Sequence, residues 1–423
     1  MKILFSVGEI EKDFNANTKI VLQVAEKLAL QGHSCVIAGV CSAFPCDETT
    51  AAGVVIKRLP AIAPVVKSSE KFERFVLQSA DRNSARRQFV KKHPLAGVFQ
   101  FIRYTPFYRE KTEQPRYLKQ IKQLVSDFAP DAVVCVCKPI NSLETVINSD
   151  IQVPMYIWQL DPWGLHRLDN PDGKAQIIAR EISAFTKAAH IFTTPVLLKQ
   201  YSEHKEYQGL TEKMTAVEFP NIRPDYPQAG KAAVNFDKDY INLLFSGIVA
   251  DEYRSPRYLL KSLSALFDTG EKVRIYFMGT NSSVTLDEFI SRYPDNVTAV
   301  EKVDVNTAFA TMAAADVLVN ISNIVDNQVP SKIFDYFSMG KPVLNVQKIP
   351  DCPAQPYFDR YPLRYTMKEN EISDSGKLTE FLYNTKDRYL DFSQVARIYS
   401  GATVDRVSSQ IADTISANIP QGE

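Results

Sequence analysis

The chain has 423 residues, 45% hydrophobic and 23% charged, and its 49 Lys and Arg balance 49 Asp and Glu. That length suffices for two domains with separate cores, and the charge balance removes any electrostatic argument for a nucleic-acid partner. No apolar run approaches the ~20 residues of a membrane span, and Met1 to Gly8 is too short and too soon polar for a signal peptide. Six cysteines (Cys35, Cys41, Cys46, Cys135, Cys137, Cys352) form no C-x-x-C pair and meet no paired histidines. Neither zinc nor a disulfide framework is indicated, and a reduced, cytoplasmic setting is expected.

In chain order, Lys2 to Val7 reads as the first strand of a doubly wound sheet. A loop follows from Gly8 to Asn17, with one glycine. The G-x-G-x-x-G fingerprint is therefore absent, which disfavours a dinucleotide-binding enzyme. Ile20, Val21, Val24, Ala25 and Leu28 give an amphipathic helix ended by Gln31-Gly32-His33, and His33 at that stop reads as structural. Strands are expected over Ser34 to Gly39 and Val54 to Leu59. The stretch 67–122 then carries 14 Lys and Arg against five Asp and Glu, with Phe72, Phe75, Phe89, Phe99, Phe101 and Tyr104 interleaved. It reads as a basic helical insertion. Two readings of it stay open: a solvated helix face over core aromatics, or a peripheral contact with anionic headgroups or a pyrophosphate-linked acceptor.

A helix with Leu118, Ile121, Leu124 and Val125 precedes the apolar strand Ala132 to Cys137. Lys138-Pro139 starts another helix, and Val153 to Trp158 another strand, which runs into Gln159-Leu160-Asp161-Pro162-Trp163-Gly164. Strand C-termini carry the chemistry of open α/β sheets, so Asp161 is a candidate for the cleft, although Asp-Pro is also an ordinary turn. Arg180-Glu181 sits on a helix before the strand His190 to Thr194. Pro220-Asn221 leads into a Pro- and Gly-containing stretch, and 223–239 reads as a linker.

Beyond it, Ile241 to Gly247 is a buried strand ending in glycine. Arg254 precedes Ser255 as N-cap and Pro256 as first residue of a helix with Leu259, Leu260, Leu263 and Leu266 inward. Val273 to Gly279 repeats the strand-glycine pattern. Val317 to Ile321 is the next buried strand. Pro330 and Ser331 then open a helix bearing Lys332, Ile333, Phe334, Asp335 and Phe337, closed by Gly340 before the strand at Val343. A helix start facing the crevice at a strand end favours phosphate. Lys332 in a first turn opposes the helix dipole, which marks it for function unless it merely snorkels along the helix.

Pro-Ser-Lys-Ile-Phe-Asp-Tyr at 330–336 with Gly-Lys-Pro at 340–342 closely resembles the donor segment of GT-B glycosyltransferases, in particular the family-4-like branch with Pro-Ser-Lys-x-x-Glu-Tyr. The resemblance covers the C-terminal half well and the N-terminal half by architecture and scattered motifs. It implies two Rossmann-like, doubly wound α/β domains facing a central cleft. They would be an acceptor domain over 1–222, the 223–239 linker, a donor domain over 240–402, and a final helix over 403–423 crossing back to the first domain. It implies donor contacts from Gly247, Arg254, Gly279, Asn327, Val329, Pro330, Ser331, Lys332 and Asp335, the last accepting from ribose hydroxyls. It places Gly8, Asn15, Asn17, Asp161 and Trp163 on the acceptor side, with Asp161, Arg254 and Lys332 as the catalytic set. Glu181 matches the family's Glu-bearing helix. The family's Glu-x7-Glu is altered, with Asn327 at the first acid and Asp335 at the second.

The expected activity is transfer of a hexose from a UDP- or GDP-type nucleotide sugar to a glycan or lipid-linked acceptor, in surface-polysaccharide (capsule) or glycolipid biosynthesis. Retention of configuration, no metal and no cofactor are implied, with the protein cytoplasmic and possible contact at the inner membrane face. The alternatives are a UDP-sugar 2-epimerase of the same fold, against which the scattered His33, His93, His166, His190 and His204 count, and an inactive binding protein.

Overall fold

The computed structural model describes residues 1–10, 14–41, 47–60, 92, 94, 109–137, 140–165, 171–224 and 230–419. The chain forms two compact units, Met1–Pro220 together with Val404–Glu423, and Asn221–Thr403.

In the first unit, β1 (Lys2–Glu9) is followed by α1 (Ala16–Leu30), β2 (Ser34–Cys41), β3 (Asp47–Thr49) and β4 (Val55–Pro60). After a turn of π-helix at Arg109–Glu113 come α2 (Gln114–Phe128), β5 (Ala132–Val136), α3 (Ile140–Ile147) and β6 (Met155–Gln159). Then follow α4 (Pro171–Lys187), β7 (His190–Thr193), α5 (Pro195–Glu203) and β8 (Met214–Ala216). The sheet order is β3-β4-β2-β1-β5-β6-β7-β8, parallel except for the β3–β4 pair. Parallel strands are covered on both faces, which is why β1 and β5 are runs of buried apolar residues and do not alternate. The basic insertion expected over 67–122 lies outside the described residues apart from Lys92, Pro94 and its last 14 positions, where Arg116, Lys119 and Lys122 stand on the exposed face of α2.

The second unit holds β9 (Ile241–Ala250), α6 (Arg257–Asp268), β10 (Val273–Ser282), α7 (Val284–Arg292), β11 (Val297–Val300) and α8 (Val305–Ala314). These are followed by β12 (Val317–Ile321), α9 (Lys332–Ser338), β13 (Val343–Gln347), α10 (Gln355–Arg360), β14 (Arg364–Lys368), α11 (Ser375–Thr385) and α12 (Phe392–Ile398). Its parallel sheet runs β11-β10-β9-β12-β13-β14. Successive strands move outward from β9 to one edge, then return beside β9 at β12 and move to the other. That reversal opens a crevice beyond the C-terminal ends of β9 and β12. The last helix, α13 (Val404–Asn418), belongs to the first unit, where Asp405 pairs with Lys27 of α1 and Gln410 donates to the Ala216 carbonyl.

Three local expectations are corrected. Neither Gly247 nor Gly279 ends its strand, because β9 and β10 continue in register three residues further, to Ala250 and Ser282. The helix after Arg254 starts at Arg257, with no side-chain cap. Ser255 Oγ bonds to Asp251, and its acceptor contact with the Arg257 amide is long, at 3.4 Å. The helix expected from Pro330 begins at Lys332, after a tight turn in which the Ile333 and Phe334 amides reach the Pro330 and Ser331 carbonyls. It spans only seven residues, too short for the helix-dipole phosphate site expected there.

Candidate functional site

The donor-side candidates lie on β9, β10, α9 and the loops that follow β9 and β12. After Ala250 the chain makes a tight turn in which the Arg254 amide returns to the Ala250 carbonyl at 2.9 Å. This aims the Arg254 side chain across the crevice, where its guanidinium donates to Asn323 Oδ1, two residues beyond β12. Burial lowers the Arg254 pKa, the neighbouring Tyr336 and Tyr253 opposing that effect. Its Nε is buried and has no hydrogen-bond partner among the described residues. A partly desolvated cation whose hydrogen bond goes to a neutral amide is under-compensated.

Lys332 does not snorkel. Its ammonium turns back to the middle of β9, 2.9 Å from the Ser246 carbonyl and 3.2 Å from Ser246 Oγ. One helical turn on, the buried Tyr336 hydroxyl accepts from the Ser246 amide at 3.3 Å and donates to its carbonyl at 3.2 Å. Lys332 and Tyr336 therefore grip one residue, Ser246, which ties β9 to α9. Asp335, on the same helix, accepts from Asn221 Nδ2 at 3.1 Å. Asn327 and Val329 are buried residues of the loop leading to α9, and Pro330 and Ser331 form its last turn. Gly247 and Gly279 stand side by side on β9 and β10, and a Cβ on Gly279 would lie 2.1 Å from the Gly247 carbonyl oxygen. Gly279 is thus required by the approach of two strands.

In the first unit the acceptor-side candidates separate into two kinds. Asn17 Nδ2 donates to Asp161 Oδ2 at 3.0 Å and to the Cys137 carbonyl at 3.2 Å, so the first turn of α1 is tied to the segments that follow β5 and β6. Gly8, at φ +73°, donates its amide to the Tyr117 hydroxyl, which also bonds to Ser6. Asn15 caps α1, accepting from the Thr18 amide at 2.8 Å. Trp163 is buried at 2% exposure, edge-on to Phe185. Its ring belongs to the core, since an aromatic of that size contributes most through the area it hides.

The motif reading passed over Ser246, Asn323 and Tyr336, and it gave Asn221 no part in holding Asp335. Asn323 follows a strand end, but nothing in its local sequence announces the arginine 69 residues away that it meets. Among the described residues no three His, Cys, Asp or Glu side chains come together as metal ligands, and no helix is long and apolar enough to cross a membrane.

Solved structures align with the chain along almost its whole length. A glycosyltransferase from Rickettsia africae matches at TM-score 0.61 and 9% identity, covering 100% of this chain and 99% of that one. The chain has the GT-B fold. The α,α-trehalose 6-phosphate synthase of Burkholderia multivorans matches at TM-score 0.60 and 11% identity, over 98% of both chains. A UDP-GlcNAc 2-epimerase from Neisseria meningitidis, solved with UDP-GlcNAc bound, matches at TM-score 0.53 and 10% identity, over 99% of this chain and 100% of that one. No protein-family profile and no curated protein sequence matches the chain. At such identities the likeness speaks for the fold, and the chemistry has to be argued from the site.

Proposed function

We propose that the chain is a glycosyltransferase of the family-4-like branch. It takes a UDP- or GDP-type nucleotide sugar and transfers a hexose, with retention and without a metal, to a glycan or lipid-linked saccharide. Surface-polysaccharide or glycolipid biosynthesis is the setting that suits such an acceptor. The second unit takes the donor and the first the acceptor. The observation that carries the reading is the partly buried Arg254 guanidinium at the switch point of the second sheet, whose buried Nε has no hydrogen-bond partner among the described residues.

A nucleotide sugar already contains a good leaving group. As the bond between the anomeric carbon and the diphosphate oxygen breaks, negative charge grows on the diphosphate. Arg254 meets that charge without reorganising, and Lys332 is the second cation we assign to it. Asp335 is the carboxylate we assign to the ribose hydroxyls, held by Asn221. Asp161 is the group we assign to the acceptor hydroxyl, held by Asn17. Retention rests on the branch alone, since Asn327 replaces its first acid. A second reading, a 2-epimerase acting on a UDP-sugar, draws on the epimerase structures that align along the whole chain.

Thermal-shift measurements with UDP, GDP, dTDP, CMP and ADP, on wild type, Asp335→Ala and Arg254→Met, test this reading. A nucleotide at 100 times its dissociation constant stabilises the folded state by about 2.7 kcal/mol. The expected result is a shift for UDP or GDP that both variants reduce. No shift for any nucleotide refutes the donor site and leaves the inactive binding protein. A product of unchanged mass from the UDP-sugar, instead of a lengthened acceptor, identifies the epimerase.

A further inference from the structure

Glu181 is fully buried in the first unit and has no place in the donor chemistry. It projects from α4 under the turn that joins β6 to the following residues. Four donors converge on its carboxylate. Oε1 accepts from the Tyr201 hydroxyl at 2.7 Å and from Gln159 Nε2 at 3.4 Å, and Oε2 accepts from the Tyr207 hydroxyl and from the Gly164 amide at 3.0 Å. Gly164 allows this approach, since a Cβ there would stand 2.5 Å from Glu181 Oε2 and 3.1 Å from the Ile178 Cα. The same Gln159 amide donates to the Asp161 carbonyl at 2.8 Å. Both ends of the turn, and the backbone of Asp161 within it, are thus tied to one carboxylate.

We infer that Glu181 is a positioning residue: its ionised carboxylate holds the turn from Gln159 to Gly164 and, through Gln159, sets the place of Asp161. This rests on the reading of Asp161 as the acceptor-side carboxylate. Every neighbour of Glu181 presents a hydrogen to it, which suits a carboxylate and opposes a carboxylic acid. Burial is the main influence on its pKa, pushing it up to about 7, and the bonds from Tyr207, Tyr201 and Gly164 hold back a larger rise. The group therefore changes charge near neutral pH. Tyr201 and Tyr207 stay neutral donors, since burial and then the Glu181 charge raise both phenols. Among the described residues the other titratable groups facing this cluster are Glu206, near Tyr207, His204, whose ring stands edge-on to Tyr207 at 6.5 Å with its Nδ1 3.7 Å from Glu206, and the Cys137 thiol, which lies near Tyr201 and bonds to the Asp161 carbonyl at 3.7 Å.

Protonation rewires the cluster through Gln159. The Gln159 Oε1 is buried with no partner among the described residues. A neutral Glu181 has a hydrogen to give, and the orphaned Oε1 is the acceptor that lacks one. Turning the Gln159 amide to accept it removes the donor from the Asp161 carbonyl. Asp161 then keeps only the long Cys137 thiol contact on its carbonyl of the two described above, and its alignment toward Asn17 loosens.

The test has one readout that needs no substrate. The chain has two tryptophans, and Trp163-Gly164 is the only Trp-Gly pair, so labelling Trp at the carbonyl carbon and Gly at nitrogen isolates the Gly164 amide by NMR. That amide is expected to titrate in one step near pH 7 in wild type and to stay flat in Glu181→Gln. Sugar transfer by wild type is expected to fall about tenfold from pH 8 to pH 6, following the ionised fraction. Glu181→Gln should sit at that lower level with no acid limb near 7. Should Glu181→Gln not fold, Gln159→Met replaces it, keeping the Gly164 titration while transfer drops to the low level. A flat Gly164 amide in wild type overturns the inference, and so does an acid limb that persists in Glu181→Gln. If no nucleotide sugar is turned over, the functional reading fails by itself, and the amide titration still upholds or overturns the hold of Glu181 on the turn.

Discussion

Gly247 and Gly279 look equivalent in the sequence, each six residues into a strand, and the structure separates them sharply. A Cβ on Gly279 would lie 2.1 Å from the Gly247 carbonyl oxygen and 3.0 Å from its carbon, all backbone atoms. An acceptable carbon–oxygen approach is about 3.3 Å, so β10 or β9 has to move by roughly 1 Å within a sheet whose strands are closely packed. Gly279 also sits at φ +136°, which a side chain rarely adopts. A Cβ on Gly247 meets nothing closer than the Phe245 ring at 3.4 Å, an ordinary contact, in nearly extended backbone. Gly279→Ala is therefore expected to destabilise the second unit by about 3 kcal/mol, and Gly247→Ala by less than about 1 kcal/mol. For a unit of this size the first cost lowers the melting temperature by roughly 6–12 °C. Calorimetry of both variants checks it, with nucleotide affinity measured alongside, because the displaced strand leads directly to Arg254. Equal melting temperatures for the two variants would refute the argument from close approach.

Two further expectations concern other parts of the molecule. Asp251 joins the turn before Arg254 to the start of α7, accepting from Ser283 Oγ at 2.8 Å, Ser255 Oγ at 3.2 Å and the Thr285 amide at 3.2 Å. Burial raises its pKa, but these bonds outweigh burial and lower it, so its stabilisation is present above the ordinary carboxylate pKa and is lost as pH falls through the lowered one. Asp251→Asn should cost about 1–2 kcal/mol at pH 7 and less than that near pH 3, read from urea midpoints. For the cysteines, burial pushes the Cys35 and Cys135 thiols up to about 12, and Cys41, Cys137 and Cys352 are buried too. A disulfide reagent should therefore modify no more than one thiol per native chain, and all six after denaturation; rapid reaction of two or more in the native state contradicts this packing.

Much of the fold was legible because periodicity reports burial. The apolar runs at Ala132 to Val136, Val317 to Ile321 and Ile241 to Phe245 are strands in the interior of parallel sheets, where both faces are covered and alternation has no purpose. The register of α1 and α6 followed from the spacing of Val21, Val24, Leu28 and of Leu259, Leu260, Leu263, since one helical stripe has to face the sheet. Helix starts were less legible. Ser255 and Pro330 carry the right chemistry for a start, yet the bond that Ser255 gives to Asp251 and the tight turn before Lys332 displaced both by one or two residues.

Local sequence thus decided the two α/β units and the neighbourhood of Arg254, Lys332 and Asp335, because strand ends and short motifs are properties of contiguous residues. The tertiary structure alone decided what those side chains touch. Arg254 meets Asn323, Asp335 meets Asn221, and Asp161 meets Asn17 across 69, 114 and 144 residues of chain. It also turned Trp163 inward and set Glu181 beneath the Asp161 turn. A charge buried by distant strands and completed by distant amides leaves no periodic trace, since its environment comes from chain crossings that no local window contains.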